Sequence, residues 1–153
     1  MACTTRLATD RFEPDEEYRL FGAANTGEGA IVSFVGLARP SSSEGREIVG
    51  LYLDHHPTMT KSSLDAIAER AAAKFEVTRI HLVHRCGQIE PGEAIVFVAA
   101  AALHRRAAFD AADFAMDLLK TEAVFWKRED AVDASRWIEP TTGDHADRAR
   151  WSD

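Results

Sequence analysis

The sequence predicts an α/β sandwich, an antiparallel or mixed sheet carrying packed helices, and three features of the chain predict it. Short runs rich in β-branched or small apolar residues, Gly29 to Gly36 and Ala94 to Ala102, have the length and composition of strands. Longer segments carry apolar residues at helical spacing, as Leu64, Ile67, Ala68, Ala71 and Phe75 do. The two kinds alternate as strand, helix, strand, strand, helix, a mixed order that packs helices onto a sheet.

In chain order, Gly29 to Gly36 is bounded by glycines and reads as a buried strand. The segment Leu37 to Glu47 follows, and its Pro40, Ser41, Ser42, Ser43 and Gly45 mark an exposed, mobile loop. A strand is expected from Ile48 to Asp54 and a helix from about Thr60 to Phe75. Val77 to His84 alternates as a strand, while Ala94 to Ala102 reads as a central strand buried on both faces. Glu90-Pro91-Gly92-Glu93 lies between them. Proline presets the first turn dihedral and glycine permits the positive one after it, so these strands should pair as an antiparallel hairpin. The last helix covers about Arg106 to Leu119 and ends somewhere before Trp126, with Arg136 to Glu139 as an edge strand. Thr141 to Asp153 is too polar to predict structure, although Trp151 could dock.

At 153 residues and 46% hydrophobic composition, the chain is expected to form one domain, flanked by an N-terminal segment (1–28) and a polar tail (141–153). The formal net charge of −7 argues against nonspecific nucleic-acid binding, which needs a broad basic surface. No stretch has the roughly 20 apolar residues a bilayer span requires, so no membrane partner is expected. Cys3 and Cys86 match no metal or redox spacing, which suits a reduced cytoplasmic protein. Asp54, His55, His56, His81 and His84 invite a metal reading. Adjacent histidines on a strand point to opposite faces, as do residues three apart, and no metal is called for.

Against this acidic background the cations are concentrated at segment ends. Arg39 follows the first strand, His104 and Arg105 follow the central one, and Lys120 and Lys127 come late in the last helical pattern. At helical periodicity Met116, Lys120 and Lys127 fall on one stripe beside Leu118, Leu119, Phe125 and Trp126. A lysine that loses hydration there has a depressed pKa and becomes competent in proton transfer. A solvated helix face, with the charge held in water by an aliphatic stem, is the better explanation of either lysine alone, and only the pair together with the upstream basic run His104-Arg105-Arg106 brings the two readings level.

Several of these segments together carry a resemblance. They are Gly29 to Gly36 with Arg39, Val83-His84-Arg85-Cys86-Gly87, Pro91-Gly92-Glu93, Leu103-His104-Arg105 with Ala108-Phe109, and Met116 to Thr121 with Phe125 to Glu129. In this order and spacing the chain from about Gly29 to Glu139 resembles the large, catalytic subunits of molybdopterin synthases. The resemblance implies an α/β hammerhead fold and a sulfur transferase of molybdenum cofactor biosynthesis. Cyclic pyranopterin monophosphate would receive sulfur from the C-terminal Gly-Gly thiocarboxylate of a small ubiquitin-like subunit and become the dithiolene molybdopterin. It also implies a central homodimer flanked by two small subunits, and no cofactor.

Carried over by position, Lys120 and Lys127 would be catalytic. Leu37, Ala38, Arg39, His104 and Arg105 would form the substrate-binding segments, with Arg39, His104 and Arg105 on the phosphate and pterin. Arg128 and Glu129 would border the same pocket, and Phe34 and Met116 would wall it. The residue types suit the chemistry, because a thiocarboxylate and a phosphate are both anionic and charge develops on the acyl oxygen during transfer. Two positions depart from the family pattern: Leu37 stands where many relatives are basic, and Val124 where some have proline. Two other functions fit the residues themselves, a sulfurtransferase carrying a persulfide on Cys86 and a noncatalytic phosphate- or nucleotide-binding module.

Overall fold

A computed structural model describes residues 2–152; Met1 and Asp153, the outermost residues of the two flanking segments, lie outside them. Among the described residues the elements run β1 (Ala2–Ala8), α1 (Pro14–Ala23), β2 (Ala30–Leu37), β3 (Gly50–His55), α2 (Met59–Phe75), β4 (Arg79–Arg85), β5 (Gly87–Ile89), β6 (Ala94–Ala102), α3 (Arg105–Thr121), β7 (Phe125–Asp130), β8 (Ser135–Ile138) and α4 (Thr142–Ala149). The strands form two four-stranded sheets, ordered β1-β4-β6-β2 and β5-β3-β7-β8. Among the described residues only β1 with β4 is a parallel pair, so the predicted mixed sheet with packed helices is what the chain builds.

The first sheet is organised around β6, which is the central strand expected. Val96, Val98, Ala100 and Ala102 face α2 and α3, while Phe97, Ala99 and Ala101 face the opposite side, where Phe21 of α1 packs. Small side chains on β6 and on α3, where Ala108, Ala111 and Ala115 are fully buried, let helix and sheet approach closely. The expected hairpin of β4 with β6 is present, Leu82 opposite Val98. Its turn closes where Glu93 donates its N–H to the Glu90 carbonyl (3.1 Å), with Gly92 at φ 90°. Between β4 and that turn, β5 leaves to pair with β3 and links the two sheets.

Several expectations need correction. The strand predicted as buried, β2, is an edge strand paired only with β6, leaving Phe34 and Leu37 exposed. The serine-rich loop is exposed at most positions but not shapeless. Buried Ser42 accepts N–H groups from Glu44 and Arg46 on its Oγ, and Ser41 bridges to Glu47. The stretch 1–28, left without elements, supplies β1 and α1, and α1 is tied down by buried Glu17, which pairs with Arg6 and with His81 Nε2. The polar tail contains α4, opened by a reciprocal capping box between Thr141 and Asp144. Trp151 docks as anticipated, edge-on to Phe75 and Phe114, and donates its indole N–H to buried Asp117.

The largest correction concerns the lysines. The single helical stripe of Met116, Lys120 and Lys127 does not exist, because α3 stops at Thr121 and Lys127 lies on β7. The chain turns at Ala123 and Val124, where Val124 donates to Ser63 Oγ (3.1 Å) and accepts from Thr60 Oγ1 (2.6 Å). Those bonds to α2 replace helix continuation. The following residues, Phe125 and Trp126 among them, favour the extended backbone that β3 then pairs.

Candidate active site

The end of α3 and the start of β7 nevertheless converge on one cleft of about 510 Å³. Met116 and Lys120 are four residues apart on α3 and share its cleft-side face. On β7, Phe125, Lys127 and Glu129 alternate onto the cleft side, directly opposite His55, Leu53 and Leu51 of β3. Phe34, Gly36 and Leu37 enter from β2 and Arg39 from just beyond it. Gly36 has no room for a side chain, since a Cβ would lie 2.7 Å from Val96 Cγ1. The rim is completed by Ser41 and Ser43 on one side and by Pro140, Thr141 and Asp144, which lead into α4, on another.

The cleft thus gathers Arg39, Lys120 and Lys127 with Phe34, Leu37, Met116 and Glu129, all expected at a site. Four other expected residues lie elsewhere. Ala38 is buried beneath the loop, its N–H donating to the Glu93 carbonyl and its carbonyl accepting from Gly92. Arg128 points from the opposite face of β7, between the rings of Tyr52 (4.9 Å) and Trp137 (5.6 Å), and pairs with Asp130 at 2.7 Å. His104 precedes α3 and Arg105 begins it, both exposed and neither lining the cleft of their own chain.

Electrostatically the cleft sets the cations Arg39, Lys120 and Lys127 together, with Glu129 and Asp144 among them. Burial pushes the Lys127 ammonium below its ordinary pKa, the charges of Lys120 and Arg39 push the same way, and Glu129 and Asp144 oppose them. A lysine so placed gives up its proton more readily, and the cations around it offer an anion a binding site. Among the described residues no group of three or more His, Cys, Asp or Glu gathers as a metal site.

Several residues of the cleft were not expected there, among them Asp144, Arg136 and His84. His84 continues the face of Ile80 and Leu82 on β4, and it is buried with its ring stacked on Phe125, centroids 4.1 Å apart and planes at 21°. Burial lowers its pKa to about 4, helped by the charges of Lys120 and Lys127 and opposed by a bond to the Arg85 carbonyl. The neighbouring Cys86 is also buried, its thiol pushed up by desolvation, and it does not line the cleft.

Comparison with known proteins gives a consistent result. The sequence profile of the MoaE protein family matches residues 7–122. A molybdopterin synthase catalytic subunit from Pseudomonas aeruginosa is 45% identical over 148 residues, which cover 97% of this chain and 98% of the relative. One from Caulobacter vibrioides is 45% identical over 145 residues, covering 95% of each. Among solved structures, a molybdopterin biosynthesis MoaE protein from Burkholderia ambifaria superposes with a TM-score of 0.81 at 37% identity, covering 100% of this chain and 99% of that one.

Proposed function

The chain belongs to the MoaE protein family, and we propose that it works as a molybdopterin synthase catalytic subunit, a single-domain sulfur transferase of molybdenum cofactor biosynthesis. The observation that carries this reading is the delivery of Lys120 and Lys127 from two different elements into one cleft with Arg39. A catalytic subunit implies a second subunit, and the chemistry here calls for a sulfur donor that can reach into a cleft. The C-terminal Gly-Gly thiocarboxylate of a small ubiquitin-like subunit is such a donor, an extended tail that orders on docking.

In this reading Arg39 offers a fork to the phosphate of cyclic pyranopterin monophosphate, and Phe34, Leu37 and Met116 wall its ring. The thiocarboxylate sulfur bonds to a precursor carbon as that carbon's bond to oxygen breaks. Water then attacks the acyl carbon of the thioester so formed, negative charge develops on the acyl oxygen, and the acyl C–S bond breaks to leave sulfur on the pterin and a carboxylate on the partner. Lys120 and Lys127 stabilise the charge on the acyl oxygen, and the depressed pKa of Lys127 suits it to move a proton in the same step. Glu129 keeps the cluster from being uniformly positive.

His104 and Arg105 take part from a second copy of the chain. Around them and along the unpaired edge of β2 lie exposed Phe34, Leu37, Leu103 and Phe109, an apolar surface suited to self-association. A homodimer that closes on this surface brings the cations of one copy toward the cleft of the other. Two small subunits then complete a heterotetramer. Among the described residues no helix is long and apolar enough to cross a membrane, and two unpaired cysteines suit a reducing cytoplasm.

Reconstitution tests the reading: the purified chain, a thiocarboxylated small subunit and the pyranopterin precursor are mixed and dithiolene product is assayed. Product that requires all three components is expected. No product from folded components, or product from an inorganic sulfide source with no need for the partner, would contradict it.

A further inference from the structure

The cleft holds a titratable group to which the reading above gives no task. His84 is a buried imidazole with two different faces to its chemistry. Its Nδ1 lies 2.8 Å from the Arg85 carbonyl, which can only accept, so Nδ1 carries the proton and Nε2 carries the lone pair. Nε2 has no hydrogen-bond partner among the described residues, yet it is not among the buried atoms sealed without one. It therefore opens on the cleft that His84 lines.

The ring is held there firmly. It stacks on Phe125, and Lys127 follows Phe125 by two positions on β7, so both side chains leave the strand on the same face. The groups that act on Lys127 on that side are Lys120 from α3, Arg39 from beyond β2, Glu129 from β7 and Asp144 from α4, and His84 from β4 lines the same cleft and feels the charge of Lys120 first and of Lys127 next. Lys120 and Arg39 are donors that repel an ammonium. His84 is the neutral acceptor in this set, and it is fixed in one tautomer by the backbone.

We propose that His84 is a positioning residue for sulfur transfer: its Nε2 accepts a hydrogen bond from the Lys127 ammonium and holds that group toward the reacting acyl carbon. The bond tightens as the reactants fill the cleft, as catalytic hydrogen bonds do. This rests on the reading of Lys127 as a catalytic group.

The test uses two substitutions that separate the acceptor from the fold. His84→Phe keeps the stack on Phe125 and lacks an acceptor, while His84→Asn keeps a donor for the Arg85 carbonyl and is too short to present an acceptor at the Nε2 position. His84→Gln, whose amide oxygen can reach that position, serves as the conservative rescue. Lys127 is followed directly by NMR of the ¹³C-dimethylated protein, whose lysines are Lys61, Lys74, Lys120 and Lys127, with the pyranopterin precursor filling the cleft.

A hydrogen bond to the charged form favours that form. Loss of the acceptor should therefore lower the pKa of Lys127 further in both His84→Phe and His84→Asn, and restore it toward the wild-type value in His84→Gln. The kcat should fall on the order of 10²-fold in the first two, the scale of a misplaced catalytic group, with KM for the precursor little changed and partial recovery in the third. Wild-type kcat in a folded His84→Phe or His84→Asn protein would overturn the proposal. So would a reduced kcat with Lys127 titrating as in the wild type. A Lys127→Ala protein of normal activity would instead overturn the catalytic reading of Lys127, an outcome the titration of the His84 variants does not depend on.

Discussion

Lys120 from the last turn of α3 and Lys127 from β7 line the same cleft, and the charge of Lys120 helps to hold the Lys127 ammonium below its ordinary pKa. Neither lysine is placed by the other's element. Their pairing depends on the turn at Ala123 and Val124, which α2 secures through Thr60 and Ser63.

That coupling gives the first prediction. Lys120→Ala should slow sulfur transfer by about 10² to 10⁴-fold, the range of a lost acid, base or charge-stabilising group, while leaving the fold intact because the side chain is exposed. It should also let the pKa of Lys127 rise toward the ordinary lysine value, and Glu129→Gln should move it the other way. Steady-state turnover and lysine NMR on the same samples check both. A fully active, folded Lys120→Ala protein would remove this lysine from the chemistry.

A second prediction follows from the position of His104 and Arg105 outside the cleft of their own chain. If each site takes its lysines from one copy and its histidine and arginine from the other, His104→Ala and Lys120→Ala proteins should be separately inactive and active when mixed. Random exchange in a symmetric dimer leaves half the dimers mixed with one intact site each, so recovery should approach about a quarter of wild-type activity. No recovery after demonstrated subunit exchange would place all the groups of one site on one chain.

Much of the fold was legible because period and composition agree locally. The all-buried run of β6, the helical spacing of α2 and the Pro91-Gly92 turn each carry their own signal, and each element formed within a few residues of its expected limits. What was not legible depended on partners far along the chain. The strand β1 pairs in parallel with β4, and that pairing needs residues more than seventy positions away. The helix α4 could have been found, since Thr141 and Asp144 stand at capping-box spacing, but its polar composition masked it. At the site, residue types identified the cations. Periodicity alone placed Lys127 on the wrong element, because Phe125 and Lys127 look helical next to α3 and extended only once β3 is known to pair with them. His84 was visible as a residue but not as a cleft member, since only the stack on Phe125 brings it there.

Stability should fall with acid in two windows. The His84 imidazole titrates at about 4 in the fold against 6.5 when free, so between those values the unfolded chain binds the extra proton and stability drops as pH falls. The loss is on the order of 3 kcal/mol. Glu28, bonded to Arg79 and to the Thr26 N–H, is held down to about 2 against 4.5, so its contribution is complete above 4.5 and is lost as pH falls toward 2. Urea midpoints measured from pH 7 to pH 2 should show both slopes. His84→Phe should flatten the upper window alone and Glu28→Gln the lower one; an unchanged upper slope in His84→Phe would assign that window to other groups.

The tail offers a further prediction about access to the cleft. Trp151 packs edge-on against Phe75 and Phe114 and shares buried Asp117 with Arg150, whose guanidinium donates at 2.8 Å. Those contacts anchor α4, whose leading residues Thr141 and Asp144 form part of the cleft rim. Trp151→Ala should cost about 2 kcal/mol through lost aromatic packing and one unmade bond to a charged acceptor. Hydrogen exchange should then show faster opening of 139–149 with β4 and β6 unaffected. Uniform acceleration across the chain would mean that the tail unfolds only with the rest.

The last prediction separates a partner-borne sulfur from one carried on this chain. A persulfide carrier must be reached by its donor and must form a thiolate readily, because the thiolate is the nucleophile. Cys86 meets neither condition: it is 1% exposed, burial raises its pKa against the lowering effect of Arg85, and its backbone N–H is bonded to Ala8 inside the junction of β1, β4 and β5. Cys86→Ala should therefore keep full sulfur transfer from a thiocarboxylated partner and lose about 1 kcal/mol of stability through the vacated volume. Cys86→Ser should be somewhat less stable, since burying a hydroxyl costs more than burying a thiol. Native protein should also resist alkylation by a bulky thiol reagent at Cys86 while remaining active after Cys3 has reacted. An inactive but well-folded Cys86→Ala protein, assayed with thiocarboxylated partner, would move the chemistry from the lysine pair to the cysteine.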